Sequence, residues 1–467
     1  MSKENKRNSF SGSIGFVLAA AGSAVGLGNI WRFPYLAAKD GGGLFIVIYV
    51  VLALTFGFTL LTTEIAIGRK TKMSPLSAYK SLNKRSGFIG IVSFIIPMII
   101  LPYYCAIGGW VLKYFTGFIT GQGPAMANEA YFNNFISGTA QPIIFTLIYL
   151  GLTAFIIFRG VQKGIESISR FIMPILLVLI IIIAIFSLTL TYTDANGVTR
   201  TGLDGFRILV VPDVENMTAS SFFTTLTDAM GQLFYSLSVA MGIMITYGSY
   251  VKDDVNLGKS VNQIEIFDTA VAILAGVMII PAVYTFMGTE GMTASGPGLM
   301  FISLPMVFAA MGPIGNVIGT LFFAMVFFAA LTSSISILEA IVSCFMDEFK
   351  ITRKKAVAVE TTIAGVIAVI VCLGYNLLYF NATLPNGASA QLLDIFDYIS
   401  NNALMPIVAI ASCILVGWIL SPKTIIAEVE KTGCVMSRKR LYTVMVKFIA
   451  PALLILLFLK SLGIIMI

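Results

Sequence analysis

The chain has 467 residues, of which 57% are hydrophobic and 11% are charged, and its mean hydropathy is +0.92. Soluble domains carry about 25% charged residues, so this composition excludes a soluble globular protein and indicates a polytopic membrane protein. The net charge of +7 is accounted for by basic residues between apolar segments, so we expect no nucleic-acid partner. The sequence lacks histidine, the commonest general base, which argues against an enzyme.

The apolar segments predict an all-α fold of about eleven transmembrane helices embedded in a lipid bilayer, because about 20 apolar residues cross a membrane. The first segment has no cleavage pattern, and we do not interpret it as a removed signal peptide. In chain order the predicted spans are 12–37, 42–68, 88–118, 142–159, 166–190, 221–250, 262–289, 313–347, 355–377, 390–420 and 444–466.

Basic residues predict the orientation of these spans. Lys3, Lys6 and Arg7 precede span 1, and the connections after spans 2, 4, 8 and 10 are rich in lysine and arginine. The odd-numbered connections are poor in both residue types. By the positive-inside rule, the N-terminal segment 1–11 is cytoplasmic and the end of span 11 is external.

Span 1 carries three glycines in its centre, Gly22, Gly26 and Gly28, followed by Asn29. Each glycine costs about 1 kcal/mol in a helix interior. Backbone groups freed at membrane depth persist only where protein or a polar cavity satisfies them. We therefore predict a broken helix whose carbonyl and amide groups bind an ion and a substrate at the midplane.

A second interruption is predicted at 236–242, within span 6 and five spans after the first. Because five is odd, the two five-span units have opposite orientations. The sequence therefore predicts an inverted repeat of residues 12–190 and 221–420, with 444–466 as an additional helix.

Four segments, 22–34, 41–43, 231–238 and 329–334, closely resemble the neurotransmitter:sodium symporter family. The resemblance extends over the chain through span 10. Eleven spans and a short connection at 119–141 are similar to prokaryotic members, which implies the inner membrane of a prokaryote. The resemblance further implies that two Na⁺ ions and an amino acid are the partners, and no protein partner is expected.

The resemblance implies that the substrate carboxylate meets the amides of Leu27 and Gly28 and the hydroxyl of Tyr104. Without it, a tyrosine in a span is more often a packing residue or an interface anchor. The pocket is mainly apolar. Family members that carry monoamines, which lack a carboxylate, have an aspartate at the position of Gly26, and this chain has no acidic group there. This predicts a bulky or aromatic hydrophobic amino acid. The implied substrate residues are Ala24, Gly26, Leu27, Gly28, Ile100, Tyr104, Tyr235, Ser236, Ser238, Met241, Ser333 and Ile337.

Two sodium sites follow from the same resemblance. The alternative is that the small hydroxyl residues only let helices approach, and that Asn29 makes an interhelical hydrogen bond. The first predicted site consists of Ala24, Asn29, Ser236 and Asp268, together with the substrate carboxylate. The second consists of Gly22, Val25, Ala329, Thr332 and Ser333.

Asp268 differs from the asparagine common in animal members, and Ala272 stands where a serine helps to bind chloride in them. A buried carboxylate needs a cationic partner. We expect Asp268 to supply beside Na⁺ the negative charge that chloride supplies elsewhere, which makes transport independent of chloride.

Charged residues at both mouths are the implied gates. The outer gate is Arg32 with Asp397, beside Gln232. The inner gate consists of Arg7, Asp347 and Tyr250.

Three further residues have implied structural roles. Glu64 should accept hydrogen bonds from the unwound backbone near Ser238 and Ala240. Gly164 and Pro174 could let span 5 unwind and open the second sodium site, although an ordinary proline kink is the alternative. Asp228 and Glu339 lie in spans without an assigned role.

The sequence thus predicts a sodium-coupled amino acid symporter that works by alternating access. Two alternatives remain open. One is a sodium-coupled transporter of another small zwitterionic solute, and the other is an amino acid sensor that has lost transport.

Overall fold

The computed structural model describes residues 9–212 and 218–465, which are mostly helical. Within these ranges nine helices are long and apolar enough to cross a membrane, and a pair bent by 52°, Ser13–Ala24 and Gly28–Lys39, makes a tenth. A second interrupted pair, Ala219–Ser236 and Ile243–Ser249, occupies the predicted span 6. The nine helices correspond to spans 2–5 and 7–11: Gly43–Thr71, Lys84–Ile119, Ala140–Phe158, Val161–Leu188, Leu257–Gly291, Pro313–Glu348, Arg353–Leu373, Leu392–Ile419 and Lys439–Ser461.

Short elements cover the two ends of the helical body. Two antiparallel hairpins pair Thr191–Thr193 with Thr199–Thr201 and Ala382–Thr383 with Ser389–Ala390. The short helices are Pro75–Leu82, Gly123–Met126, Glu129–Ile136, Gly202–Val210, Gly296–Ala310 and Lys423–Val429, with single 3₁₀ turns at Lys84–Ser86 and Glu430–Thr432.

The predicted break in span 1 is present. The first half-helix ends at Ala24, and Val25 leaves helical geometry with ψ of 101°. The Gly26 amide is then satisfied by the Asn29 side-chain oxygen at 3.0 Å. A π-helical turn, Gly28–Arg32, starts the second half-helix.

The break in span 6 is more strained than the sequence suggests. Ser238, Ala240 and Gly242 all have left-handed backbones, with φ of 53°, 65° and 75°. Such a conformation costs a non-glycine residue on the order of 1–3 kcal/mol and persists only where the surroundings enforce it. The Ala240 amide donates to Glu64 Oε1 at 2.6 Å, whereas the Ser238 amide donates to the Tyr235 carbonyl at 3.4 Å. Glu64 thus holds the break at Ala240, one of the two predicted positions.

Spans 2 and 6 approach each other through two glycines that face the opposite backbone. A Cβ atom at Gly68 would lie 2.0 Å from the Ile245 carbonyl oxygen, and one at Gly248 would lie 2.4 Å from that of Ile65. Neither position has room for any side chain. The inner half of span 6 is consequently packed backbone to backbone against span 2.

Span 5 is helical from Ser167 to Leu188 and runs through Pro174, after a π-helical stretch at Val161–Glu166. Gly164 lies against span 4, where an added Cβ would be 2.1 Å from the Ile156 carbonyl oxygen. Met173, next to the proline, reaches the first break: its sulfur is 3.0 Å from the position of a Cβ on Gly22. Span 5 therefore borders the predicted second sodium site, while its unwinding stays a prediction.

Candidate functional site

A cavity of about 310 Å³ lies between the two helix breaks, and all twelve residues predicted to bind substrate line it. The sequence did not single out several further wall residues, which are Ser23, Trp31, Tyr103, Ile107, Gly296, Pro297, Leu393, Asp394 and Asn401. Asn29, Arg32 and Asp397, predicted as ion or gate residues, also border this cavity. The cavity thus extends from the breaks to the ends of spans 1 and 10.

One end of the cavity carries the buried Tyr104 hydroxyl beside a helix N-terminus. Leu27 caps the helical turn that starts at Gly28, so the positive end of that half-helix borders the cavity. The buried Tyr104 hydroxyl oxygen has no hydrogen-bond partner in the described part of the chain. It lies 3.5 Å from the position of a Cβ on Gly26. A donor at a helix N-terminus without a partner suits an anionic group.

One part of the cavity wall is apolar. Ile100, Met241 and Ile337 are all buried and line it. Gly26 is confined, because a Cβ there would come within 2.9 Å of Ser333 Oγ. The cavity therefore combines a small polar end with an apolar compartment.

Asp268 is the centre of the first predicted sodium site. Its Oδ1 accepts hydrogen bonds from Asn29 Nδ2 at 2.8 Å and from Ser236 Oγ at 2.6 Å. Tyr49 OH lies 3.5 Å from Oδ2. Asn29 and Asp268 are fully buried, and no lysine or arginine among the described residues pairs with Asp268. Ala24, the fourth predicted ligand, lines the same cavity.

This donor set fits Na⁺. It offers the Asp268 carboxylate and the Ser236 hydroxyl, which are hard oxygen ligands of the kind that such cations prefer. The Asn29 side chain presents its nitrogen to Asp268 and its oxygen to the Gly26 amide. A buried carboxylate without a basic partner is costly unless a cation joins it. Asp268, Ser236 and the Ala24 carbonyl would hold the ion, together with the Asn29 oxygen once that amide turns from Gly26 to the ion. The ion would supply the missing positive charge.

The second predicted sodium site is also brought together by the fold. Ser333 Oγ lies 3.2 Å from the Ser23 and Ala329 carbonyl oxygens and 3.4 Å from that of Val25. Thr332 Oγ1 lies 3.0 Å from the Ala329 carbonyl oxygen. Gly22 faces Thr332, whose Cβ is 3.3 Å from the position of a Cβ on that glycine. Hydroxyl and carbonyl oxygens from spans 1 and 8 thus converge at the end of the first half-helix.

The two outer-gate charges border the cavity without forming an ion pair. The Arg32 guanidinium stacks on the Tyr235 ring at 4.7 Å. Asp397 instead accepts hydrogen bonds from Tyr103 OH at 3.0 Å and Asn401 Nδ2 at 2.6 Å. Gln232 Nε2 donates to the Gly28 carbonyl at 3.0 Å. Arg32 and Asp397 therefore bind other side chains at this mouth and not each other.

The inner end is sealed by aromatic packing. Phe10 is buried between Tyr247 and Tyr250, with ring centroids 5.7 and 6.1 Å away, and its amide donates to the Tyr250 carbonyl at 3.1 Å. Asp347 accepts the Ser74 amide at 2.7 Å. Arg7, the predicted partner of Asp347, lies outside the described residues.

Glu339, to which the sequence assigned no role, forms a buried ion pair in the structure. It is fully buried and forms a bidentate ion pair with Arg353, at 2.6 and 2.7 Å, while Tyr250 OH donates to it at 2.6 Å. In the sequence, Arg353 is only one of several basic residues after span 8. The sequence signal for this ion pair is an acidic residue within a span and an arginine just after that span.

Comparisons with known proteins agree on one family. The family model described as "Sodium:neurotransmitter symporter family" matches residues 7–135 and 134–466. The uncharacterized sodium-dependent transporter YhdH of Bacillus subtilis is 34% identical over 99% of both chains. An uncharacterized sodium-dependent transporter of Methanocaldococcus jannaschii is 31% identical over 91% of this chain and 85% of its own length.

A solved structure is also similar to this chain. The crystal structure of MhsT in complex with L-phenylalanine superposes with a TM-score of 0.84 at 32% identity, covering 97% of this chain and 100% of that one. These relatives confirm the all-α fold with its broken first helix, and they are transporters rather than enzymes.

Proposed function

We propose that this chain, which belongs to the sodium:neurotransmitter symporter family, imports a bulky hydrophobic L-amino acid together with two Na⁺ ions. Its use of sodium follows from the family, in which the bacterial and archaeal relatives are sodium-dependent transporters. The identity of the substrate, the number of ions and the independence from chloride are the proposal.

The observation that carries the proposal is the unpaired Tyr104 hydroxyl beside the positive end of the Gly28–Lys39 half-helix. A carboxylate bound there would satisfy the hydroxyl and the exposed amides of Leu27 and Gly28 at once. The apolar walls supplied by Ile100, Met241 and Ile337 would bury the side chain. MhsT was crystallised in complex with L-phenylalanine, a ligand of this chemical class.

Two ions are proposed because two separate clusters of oxygen atoms flank the first break. Asp268 supplies a buried negative charge to one cluster, and hydroxyl and carbonyl oxygens form the other. A cation at the first cluster would also approach the substrate carboxylate, which lies on the same side of the break. Binding of sodium and of substrate would then favour each other.

Alternating access is supported by the asymmetry of the two mouths. At one mouth Arg32 and Asp397 bind other side chains and do not pair, whereas at the other mouth Phe10 packs between Tyr247 and Tyr250. With the predicted orientation, the mouth with Arg32 and Asp397 faces the outside. Substrate and sodium would enter there, and the subsequent approach of Arg32 to Asp397 would exclude water before the inner end opens.

A competition uptake panel in proteoliposomes tests the substrate class. Tryptophan, phenylalanine and leucine should compete for sodium-driven uptake, while glycine, aspartate and lysine should not. A small side chain leaves apolar surface unfilled, and a charged one would be buried without a partner, which costs several kcal/mol. Inhibition by glycine or lysine with none by any branched or aromatic amino acid would contradict the proposed pocket.

Tyr104→Phe should weaken substrate binding by about 1–3 kcal/mol, because a charge-assisted acceptor loses its donor in a buried site. The measurement is equilibrium binding of labelled phenylalanine to purified protein by scintillation proximity. Tyr131→Phe, in the short helix Glu129–Ile136, is a matched control that should bind as the wild type does. Equal affinities for Tyr104→Phe and the wild type would remove Tyr104 from the site.

A further inference from the structure

The last two residues of span 11, Lys460 and Ser461, contact two different elements of the outer mouth. The Lys460 ammonium donates to Asp228 Oδ1 at 2.9 Å and to Thr227 Oγ1 at 2.5 Å. Both acceptors lie on the outer half of span 6, Ala219–Ser236. Asp228 also pairs with Lys39, at the end of span 1, at 3.3 Å. The outer halves of spans 1 and 6 are therefore tied to span 11 through one carboxylate.

Ser461 makes the second connection, to span 10. Its hydroxyl lies 2.8 Å from the Asn402 carbonyl oxygen and 2.8 Å from that of Phe458 in its own helix, so the two carbonyls share one donor. The Ser461 carbonyl accepts from Tyr398 OH at 2.8 Å. Tyr398 and Asn402 both belong to the π-helical stretch Tyr398–Leu404. A π-helical turn departs from the regular i to i−4 pattern, and such turns recur at functional sites.

Asn402 connects this contact to the substrate cavity. Its side-chain oxygen accepts a hydrogen bond from Tyr235 OH. The Tyr235 ring lines the cavity, and Arg32 of the outer gate stacks on it. A continuous series of polar contacts thus runs from Ser461 through Asn402 to Tyr235, a wall of the cavity.

We propose that the outer end of span 11 positions Tyr235 in the cavity wall, with Lys460 holding the outer half of span 6 and Ser461 holding Asn402, the residue that binds Tyr235. This proposal rests on the proposed function, because it assigns Tyr235 to the substrate cavity. Asn402, Lys460 and Ser461 are positioning residues, which act on bound substrate through Tyr235.

The geometry distinguishes this role from a simple attachment of span 11 to the fold. Lys460 and Ser461 are consecutive, yet they bind different spans at the mouth. Lys460 binds span 6, which carries Tyr235, and Ser461 binds span 10, which carries Asp397. Contact with either span 6 or span 10 would be enough to anchor span 11 to the fold. Contact with both makes the spacing of these two spans depend on span 11.

A double-substitution cycle tests the contact between Tyr235 and Asn402. The dissociation rate of labelled phenylalanine from purified full-length protein should rise about 3- to 10-fold in Tyr235→Phe and in Asn402→Leu, the loss expected for one hydrogen bond. Because both remove the same contact, the double variant should dissociate no faster than the faster single variant. If the two single effects multiply in the double variant, the Asn402 contact does not position Tyr235 and the proposal is overturned.

Variants of span 11 test the rest of the chain of contacts. Lys460→Met should increase hydrogen exchange in 219–236, Ser461→Ala should increase it in 398–404, and both should speed dissociation. Lys460→Arg, which keeps the charge, should restore the wild-type values. Lys447→Met is the matched control, since Lys447 lies on the same helix over the Trp418 ring, 5.7 Å from its centroid. Unchanged exchange and dissociation in Lys460→Met and Ser461→Ala would overturn the proposal.

The two readouts separate this proposal from the proposed function. If the wild type binds neither phenylalanine nor any other amino acid, the proposed substrate class fails. Hydrogen exchange, which needs no ligand, then decides whether span 11 holds spans 6 and 10. A wild-type exchange pattern in both variants would count against the proposal in that case too.

Discussion

Asp268→Asn is expected to abolish sodium-driven uptake in medium without chloride. The wild type should transport equally well when chloride is replaced by gluconate, because Asp268 supplies the buried negative charge itself. Asparagine keeps the shape and a side-chain oxygen near Asn29 and Ser236 but loses the charge that favours the cation. The Asn variant should therefore be inactive or should regain activity only when chloride is added.

The measurement is uptake of labelled amino acid into proteoliposomes under an inward sodium gradient, with chloride or gluconate as the anion. Asp253→Asn is a suitable control, since it makes the same chemical change at a largely exposed carboxylate that pairs with Lys72 and Lys431. Uptake by the wild type without sodium would contradict symport. Loss of wild-type uptake in gluconate would contradict only the independence from chloride.

Arg69→Met is expected to destabilise the protein by about 3–5 kcal/mol, the usual cost of breaking a buried ion pair by removing one partner. Arg69 is fully buried at the inner end of span 2. Its Nε donates to Glu428 Oε1 and its Nη1 to the Val255 carbonyl, both at 2.7 Å. Methionine would leave the Glu428 charge and the Val255 carbonyl without their partner.

Thermal unfolding of purified variants in one detergent measures this loss. Lys70→Met removes an exposed charge from the neighbouring position and should unfold at the wild-type temperature. Adding Glu428→Met to Arg69→Met should recover part of the stability, because no buried charge then remains unpaired. An Arg69→Met variant as stable as Lys70→Met would show that the pair does not stabilise the fold.

The broken helices were predictable because their cause is local in the sequence. Three glycines and an asparagine within an apolar span leave backbone groups that need partners, and Asn29 supplies one of them by bonding to the Gly26 amide. The second break was predicted over 236–242, where Gly242 is the one strong helix breaker and the other residues include small and hydroxyl types. The left-handed backbones of Ser238 and Ala240 could not be, because neither residue favours that conformation and a distant carboxylate, Glu64, stabilises it.

In the candidate site, too, some residues could be predicted from local sequence and others could not. Residues in contiguous family segments, such as Asn29, Ser236 and Ser333, could be predicted as one group because those segments are recognisable, and all three line the cavity. The partners of Glu339 and Asp228 come from elsewhere: Arg353 follows the next connection, and Lys460 ends the last helix. No local pattern joins such residues, since only the packing of whole helices brings them together.

Spans 2 and 6 cannot slide or rotate against each other at Gly68 and Gly248, since each glycine meets a carbonyl of the opposite helix with no space between. Any change that opens the inner end must therefore carry span 2 and the inner half of span 6 as one rigid body. Spin labels placed on these two segments would keep a constant separation through the transport cycle. The distance between these two labels would serve as a fixed reference for measuring how far the other spans move.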